Sequence, residues 1–174
     1  MIGILFATGM EAHPFIERGV PEGTIPLICG MGMEAARAAT LELIEKHGCT
    51  SVINAGVCGA LDDSLERGSV HRIMTVFNVD GASCSVETQG KCLVTVEEPV
   101  FQPDRKKELS TLGDLVDMEG YAVARVCEEH NIPCIMVKGV TDFGDHNGKD
   151  DIQTHLAPVS EAVAGKLIEI VKAM

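Results

Sequence analysis

Three acidic residues stand where the chain changes from an apolar run to a turn or a helix. Glu11 follows the first apolar run in TGMEAHP, Glu119 opens a helical pattern in DMEGY, and Asp142 ends an apolar run in GVTDFGD. Carboxyl groups in a partly apolar cleft can have separated pKa values, so that one donates a proton while another stays ionised. Cleavage of a glycosidic bond needs that division between a leaving-group acid and a water-directing anion.

Each acid taken singly also has an ordinary structural explanation. The helix dipole favours an acid in a first turn, which accounts for Glu11 and Glu119. An aspartate after a strand, such as Asp142, commonly caps a helix or forms a turn. Only the combination of the three suggests a site, and spacing alone makes this a weak hypothesis.

The elements that must position these acids alternate along the chain. Apolar runs predict strands at residues 2–8, 26–30, 51–56, 69–81 and 132–142. Helical spacing predicts helices at residues 33–48, 118–131 and 158–173. The segment CSVETQGKCLVTVEE is expected to form a hairpin or two short strands. This order predicts an α/β fold, with one domain over residues 1–174 and a central mixed β-sheet flanked by helices.

Ligands of open α/β sheets bind outside the carboxyl ends of the strands. The positions expected near such a site are therefore Glu11 and residues 30–33, 54–59, 97–101 and 138–145.

Composition excludes several classes of partner. Lys and Arg number 14 against 26 Asp and Glu, so the formal net charge of −12 repels phosphate backbones. No apolar stretch approaches the roughly 20 residues of a membrane span. Seven cysteines without a C-x-x-C pair predict free thiols and a reducing cytoplasm, and the N-terminus lacks the pattern of a signal peptide. We expect no nucleic-acid partner, no membrane partner and no metal site.

Four segments resemble the nucleoside phosphorylase and nucleosidase superfamily. They are GILFATGMEA (3–12), CGMGMEAARAAT (29–40), VINAGVCGAL (52–61) and VDMEGYAVARVCEEHNIPCIMVKGVTDFGD (116–145). The last resembles the V-x-M-E-x-x-A helix of that family and the strand after it, which ends in R-x-[IV]-[ST]-D. The similarity is strongest to the nucleosidase side, which includes methylthioadenosine/S-adenosylhomocysteine nucleosidases and futalosine-type hydrolases.

The resemblance implies a role for each matching residue. Asp142 would protonate the purine at N7, and Glu11 would position or activate the attacking water. Glu119 would hydrogen-bond the ribose hydroxyls while Met118 packs against the sugar. Phe101 would stack on the base, although core packing also explains it. No metal or organic cofactor is implied.

Three features favour water over phosphate as the nucleophile. The charge of Glu11 opposes phosphate, Val57 stands where related enzymes often carry a hydroxyl, and Lys138 replaces the usual Arg before Asp142. We therefore expect a nucleosidase that cleaves a purine nucleoside, such as the 5′-modified adenosines methylthioadenosine or S-adenosylhomocysteine. A purine nucleoside phosphorylase and a non-catalytic nucleoside-binding protein are the alternatives.

The resemblance also implies a chain that is shortened in its middle. The usual family member is longer, and the deficit falls around residues 80–93, which by resemblance help to build the base pocket. A homodimer or higher homo-oligomer is implied as well.

Overall fold

Eight strands form one mixed β-sheet, with five helices, in a computed structural model that describes all 174 residues. The strands are β1 (Ile2–Phe6), β2 (Thr24–Ile28), β3 (Ser51–Ala60), β4 (Val70–Asn78), β5 (Ser83–Ser85), β6 (Lys91–Thr95), β7 (Leu115–Asp117) and β8 (Cys134–Asp142). The helices are α1 (Gly9–Glu17), α2 (Met33–Leu41), α3 (Pro103–Leu109), α4 (Gly120–Glu129) and α5 (Gly148–Ala173), and α2 continues into a π-helical turn at Glu42–Lys46. None of the helices is both long and apolar enough to cross a membrane.

Five of the strands close a ring. β3 pairs with β8, β8 with β4, β4 with β6, β6 with β7, and β7 again with β3. β1 and β2 extend the sheet from β3 with parallel pairing, and β5 is added to β4 as an antiparallel edge strand. The ten-residue strand β3 therefore contacts β1, β7 and β8 and organises the sheet.

Alternating side chains of β1 show how the two faces of the sheet are covered. Leu5 packs into the cluster that contains the buried residues of α2 and α4. Ile4 and Phe6 point the other way, into the cluster formed with α1 and α5. The strand is buried on both sides, as its unbroken apolar sequence predicts.

The central mixed sheet flanked by helices agrees with the predicted fold class, but several boundaries differ. β3 runs four residues beyond the predicted end, to Ala60. Of the two alternatives predicted for CSVETQGKCLVTVEE, the structure has the two short strands, which lie on opposite sides of β4. The closing helix begins at Gly148 rather than residue 158. The reason is that Ile152 and Leu156, four residues apart and half-buried, extend its apolar face through a segment that is otherwise mostly polar.

The contact between β8 and α5 leaves no room for a side chain at Gly139. A Cβ atom there would lie 2.4 Å from Val159 Cγ1 and 2.8 Å from Val163 Cγ2, and both valines are buried. Gly139 thus sets how closely the longest helix approaches the sheet.

We predict that Gly139→Ala lowers the free energy of unfolding by about 1–3 kcal/mol, because the added methyl group overpacks a closed contact. Urea unfolding measures the change. Gly165→Ala is the control, since its nearest neighbour would be Arg18 Nη1 at 3.7 Å and alanine favours helix by about 0.5–1 kcal/mol. A Gly139→Ala protein as stable as the wild type would contradict the packing described.

Candidate active site

A cavity of about 270 Å³ lies where β3, β7 and β8 meet the starts of α1 and α4. Six of the seven residues that the sequence singles out line it: Glu11, Val57, Phe101, Met118, Glu119 and Asp142. The seventh, Lys138, lies behind the wall and is 2% exposed. Segments widely separated in the sequence are therefore brought together here.

Glu11 is fixed by the start of α1. The Thr8 side chain caps the helix, and Glu11 Oε2 accepts hydrogen bonds from both the N–H and the hydroxyl of Thr8, at 2.8 Å each. Its other oxygen, Oε1, accepts from the Val57 N–H at 3.0 Å. Gly56 makes this approach possible, because a Cβ atom there would lie 2.6 Å from Oε1. Glu11 thus belongs to the capping box of α1, and it also lines the cavity.

Glu119 stands immediately before α4, with its carboxylate directed across to the start of α2. Its Oε1 accepts a hydrogen bond from the Gly32 N–H at 2.6 Å. Burial, reinforced by the negative charge of Asp117, raises the pKa of Glu119 to about 7, although Lys138 opposes the shift. The group therefore changes its charge near neutral pH.

Asp142 ends β8 beside a register shift in β3 between Cys58 and Gly59. Its Oδ1 accepts from the Gly144 N–H at 2.9 Å, and its Oδ2 lies 3.0 Å from the Thr141 hydroxyl. Burial raises the pKa of Asp142 above its ordinary value despite these donors. A carboxyl group of this kind holds a proton more readily than an exposed aspartate does.

Asp117 is a fourth carboxyl group in the wall, and the sequence analysis did not identify it. Its Oδ2 lies 2.8 Å from Lys138 Nζ, and both side chains are almost fully buried. Burial alone would lower the pKa of Lys138, but Asp117 and Glu119 raise it above its usual value. The sequence feature that could have identified Asp117 is its place within the apolar run LVDM, where an acidic residue is unexpected. Thr8 and Thr141 were missed as well, since their roles depend on contacts that spacing does not show.

The rest of the wall is mainly apolar. Phe101 lies against Gly148, where a Cβ atom would be 2.6 Å from Cδ1 of the ring. Ile152 and Leu156 of α5 face the cavity, and the exposed side chains of Met10 and Met31 also belong to its lining. Residues 80–93, expected near the base pocket, contribute nothing to this wall.

The cavity is unusual in its charge. Its lining includes four carboxyl groups but no Lys, Arg or His side chain. No three His, Cys, Asp or Glu side chains anywhere in the chain are grouped so that they could hold a metal ion. Burial raises the pKa of Cys58, the one thiol in the lining, so this cysteine stays protonated.

These features define an α/β protein with a cavity lined by four carboxyl groups and mainly apolar side chains. The family model of the phosphorylase superfamily matches residues 25–91 and 86–174. The chain therefore belongs to the phosphorylase superfamily. The two matched segments meet in the connection between β5 and β6, which is where the chain is short.

Two relatives from Shewanella are similar to this chain and share one name. The chain is 24% identical over 164 residues to the 5′-methylthioadenosine/S-adenosylhomocysteine nucleosidase of Shewanella denitrificans. The alignment covers 73% of this chain and 71% of that protein. It is 25% identical over 183 aligned positions to the nucleosidase of the same name from Shewanella loihica, covering 82% and 78%. That alignment is longer than the 174-residue chain, so it contains gaps opposite residues of the relative.

Solved structures share the fold. A futalosine hydrolase mutant of Helicobacter pylori superposes with a TM-score of 0.94 at 19% identity, covering 99% of both chains. The 5′-methylthioadenosine/S-adenosylhomocysteine nucleosidase of Neisseria meningitidis, in complex with methylthio-immucillin-A, gives 0.91 at 18% identity and also covers 99% of both. At these identities the likeness concerns the fold.

The raised pKa of Glu119 makes stability depend on pH. Between its ordinary value of 4.5 and the folded value of about 7, the unfolded chain loses a proton that the folded protein keeps. The unfolded state then binds fewer protons, so stability falls as the pH rises through this range.

We predict that Glu119→Gln stabilises the protein, by on the order of 1–3 kcal/mol above pH 7 and by less at pH 5. The amide oxygen can still accept from Gly32, so only the charge is lost. Urea unfolding at pH 5 and pH 8 measures the difference, with the exposed Glu22→Gln as control. An equal gain at both pH values would argue against a buried carboxylate that titrates near neutrality.

Proposed function

We propose that the protein is an N-ribosyl hydrolase that cleaves the glycosidic bond of a purine nucleoside. The substrate class that we propose is a 5′-modified adenosine, such as methylthioadenosine or S-adenosylhomocysteine. The names of the Shewanella relatives support this choice. The apolar side chains of Ile152, Leu156 and Met10 in the lining suit the 5′ thioether that both compounds carry.

The observation that carries the proposal is the charge of the cavity. Phosphorolysis must hold a phosphate dianion, which proteins bind with Arg or Lys side chains or with converging N–H groups. Here Glu11, Asp117, Glu119 and Asp142 face the cavity without a cationic neighbour in its lining. Lys138 is no substitute, because it is buried behind the wall and paired with Asp117. A cavity wall of this charge favours water over phosphate as the nucleophile.

The same negative charge favours the transition state of hydrolysis. Breaking the glycosidic bond leaves positive charge on the sugar, and nearby carboxylates stabilise it. We assign Asp142 as the acid that protonates the purine at N7, since its raised pKa favours the protonated form. Glu11, held by Thr8 and Val57, positions the attacking water. Glu119 accepts hydrogen bonds from the ribose hydroxyls, Met118 packs on the sugar, and Phe101 stacks on the base.

Three further proposals accompany this function. We propose a reducing cytoplasm as the location, supported by seven cysteines that are all free thiols. We propose that residues 1–174 act as one domain, since a single sheet includes strands from both ends of the chain. We propose a homodimer or higher homo-oligomer, because Met10 and Met31 are 64% and 70% exposed beside the cavity.

The reaction is tested by incubating purified protein with methylthioadenosine, S-adenosylhomocysteine and unmodified purine nucleosides, with and without phosphate. We expect base release at the same rate in both conditions and a sugar product without phosphate. Release that requires phosphate would identify a phosphorylase. Adenine binding with no base release from any nucleoside would identify a non-catalytic binding protein.

We predict that Asp142→Asn lowers kcat by about 10²–10⁴-fold, the contribution typical of a general acid. The fold should persist, since an amide oxygen can accept the hydrogen bond from the Gly144 N–H. Steady-state kinetics and circular dichroism measure the two effects. Asp150→Asn, an exposed position in the first turn of α5, is the control. Near-wild-type turnover in Asp142→Asn would overturn its assignment as the acid.

A further inference from the structure

The residue at the N-cap position of α4 does not cap the helix, and other side chains accept hydrogen bonds from its first N–H groups. Glu119 occupies that position, but its side chain accepts no hydrogen bond from the helix. Asp117 Oδ2 accepts from the Gly120 N–H at 2.9 Å, and Thr95 Oγ1 accepts from the Tyr121 N–H at 2.8 Å. The first two open N–H groups of the helix are thus satisfied. Glu119 is left free to face the cavity.

Asp117 is itself held from two other directions. The Thr95 hydroxyl donates to its Oδ1 at 2.7 Å, and Lys138 Nζ lies 2.8 Å from its Oδ2. Asp117 and Lys138 belong to β7 and β8, which are not paired with each other but flank β3. Burying either charge without the other would be unfavourable, so the two depend on each other.

We propose that Asp117 and Lys138 are a positioning pair for Glu119. Asp117 holds the start of α4 so that the Glu119 carboxylate faces the cavity, and the two opposite charges balance each other beside that carboxylate. The proposal rests on the proposed function in one respect, namely that Glu119 is the ribose anchor. The effect of the pair on Glu119 is nevertheless a property of the free protein.

The groups that face Glu119 come from several elements. They are Asp117 from β7, Lys138 from β8, Glu11 from α1, the Gly32 N–H before α2, and the thiol of Cys29 after β2. Burial and then the Asp117 charge raise the pKa of Glu119, while Lys138 and the Gly32 N–H lower it. Neutralising Asp117 and neutralising Lys138 must therefore shift the titration of Glu119 in opposite directions.

The test is a direct titration of Glu119 without substrate. Protein carrying ¹³C in its glutamate side-chain carboxyl groups is followed by NMR against pH, and Glu119→Gln identifies the Glu119 signal by its loss. We expect a wild-type midpoint near pH 7. In Asp117→Asn the midpoint should fall by about one unit, and in Lys138→Met it should rise by about one unit, each corresponding to about a tenfold change in proton affinity. The double variant should lie between the two single variants.

Lys91→Met is the matched control, because Lys91 faces Asp62 and Asp114 away from Glu119. It should leave the midpoint unchanged. Circular dichroism checks the fold of each variant. If Lys138→Met does not fold, Asp117→Asn is compared with the double variant. Adding Lys138→Met to Asp117→Asn must then raise the midpoint above that of Asp117→Asn alone. An unchanged midpoint in Asp117→Asn would contradict the proposed role of the pair. A shift in the same direction from Asp117→Asn and Lys138→Met would contradict it as well.

Activity is a separate readout. At pH 7, Asp117→Asn should retain more of its kcat/KM than Asp117→Ala, because the amide can still accept from the Gly120 N–H. If the midpoints shift as expected but no nucleoside is hydrolysed, the positioning role of Asp117 and Lys138 is supported and the proposed function is wrong. If nucleosides are hydrolysed and the midpoints do not move, the positioning role is wrong and the proposed function is supported.

Discussion

Burying four carboxyl groups around one small cavity is the constraint on which the rest of the structure depends. Each group removed from water needs hydrogen-bond donors, because an unsatisfied buried charge is strongly unfavourable. The chain supplies these donors chiefly as backbone N–H groups beside helix starts. Gly32 precedes α2, Gly120 begins α4, and Gly144 lies shortly before α5. The positive ends of the α2 and α4 dipoles are thereby directed at the carboxyl groups of Glu119 and Asp117.

The ring of strands makes this convergence possible. β7 runs antiparallel to β3, whereas β8 runs parallel to it, so their carboxyl ends approach the last residues of β3, around Gly59, from opposite directions. The cavity consequently lies over residues 57–59 of β3 and not beyond its end. Glycines at 56 and 59 leave room for Glu11 and Asp142, since a Cβ atom at Gly59 would be 3.0 Å from Asp142 Oδ1. The VINAGVCGAL segment is thus a surface that carboxyl groups can approach.

The sequence was sufficient for the class of fold and for most of the cavity wall. Unbroken apolar runs identify strands buried on both faces, and the acids after them mark the site because a sheet collects such positions at one edge. The sequence was not sufficient for β7 and α3, which are three and seven residues long and too short for their patterns to repeat clearly. It also missed the structural dependence of Glu119 on Asp117, because only the folded chain shows that a residue two positions earlier caps α4.

The position of the shortened connection has a consequence for how the chain tolerates changes in length. β6 runs from Lys91 to Thr95, and Val96, the residue after it, belongs to the cavity wall. At about 3.3 Å per residue, this strand separates residues 86–90 from that wall by about 16 Å. Pairing with both β4 and β7 fixes β6 independently of the connection that precedes it. We therefore expect insertions and deletions in this connection to leave the shape of the cavity unchanged, which makes it a suitable place to attach a tag or reporter.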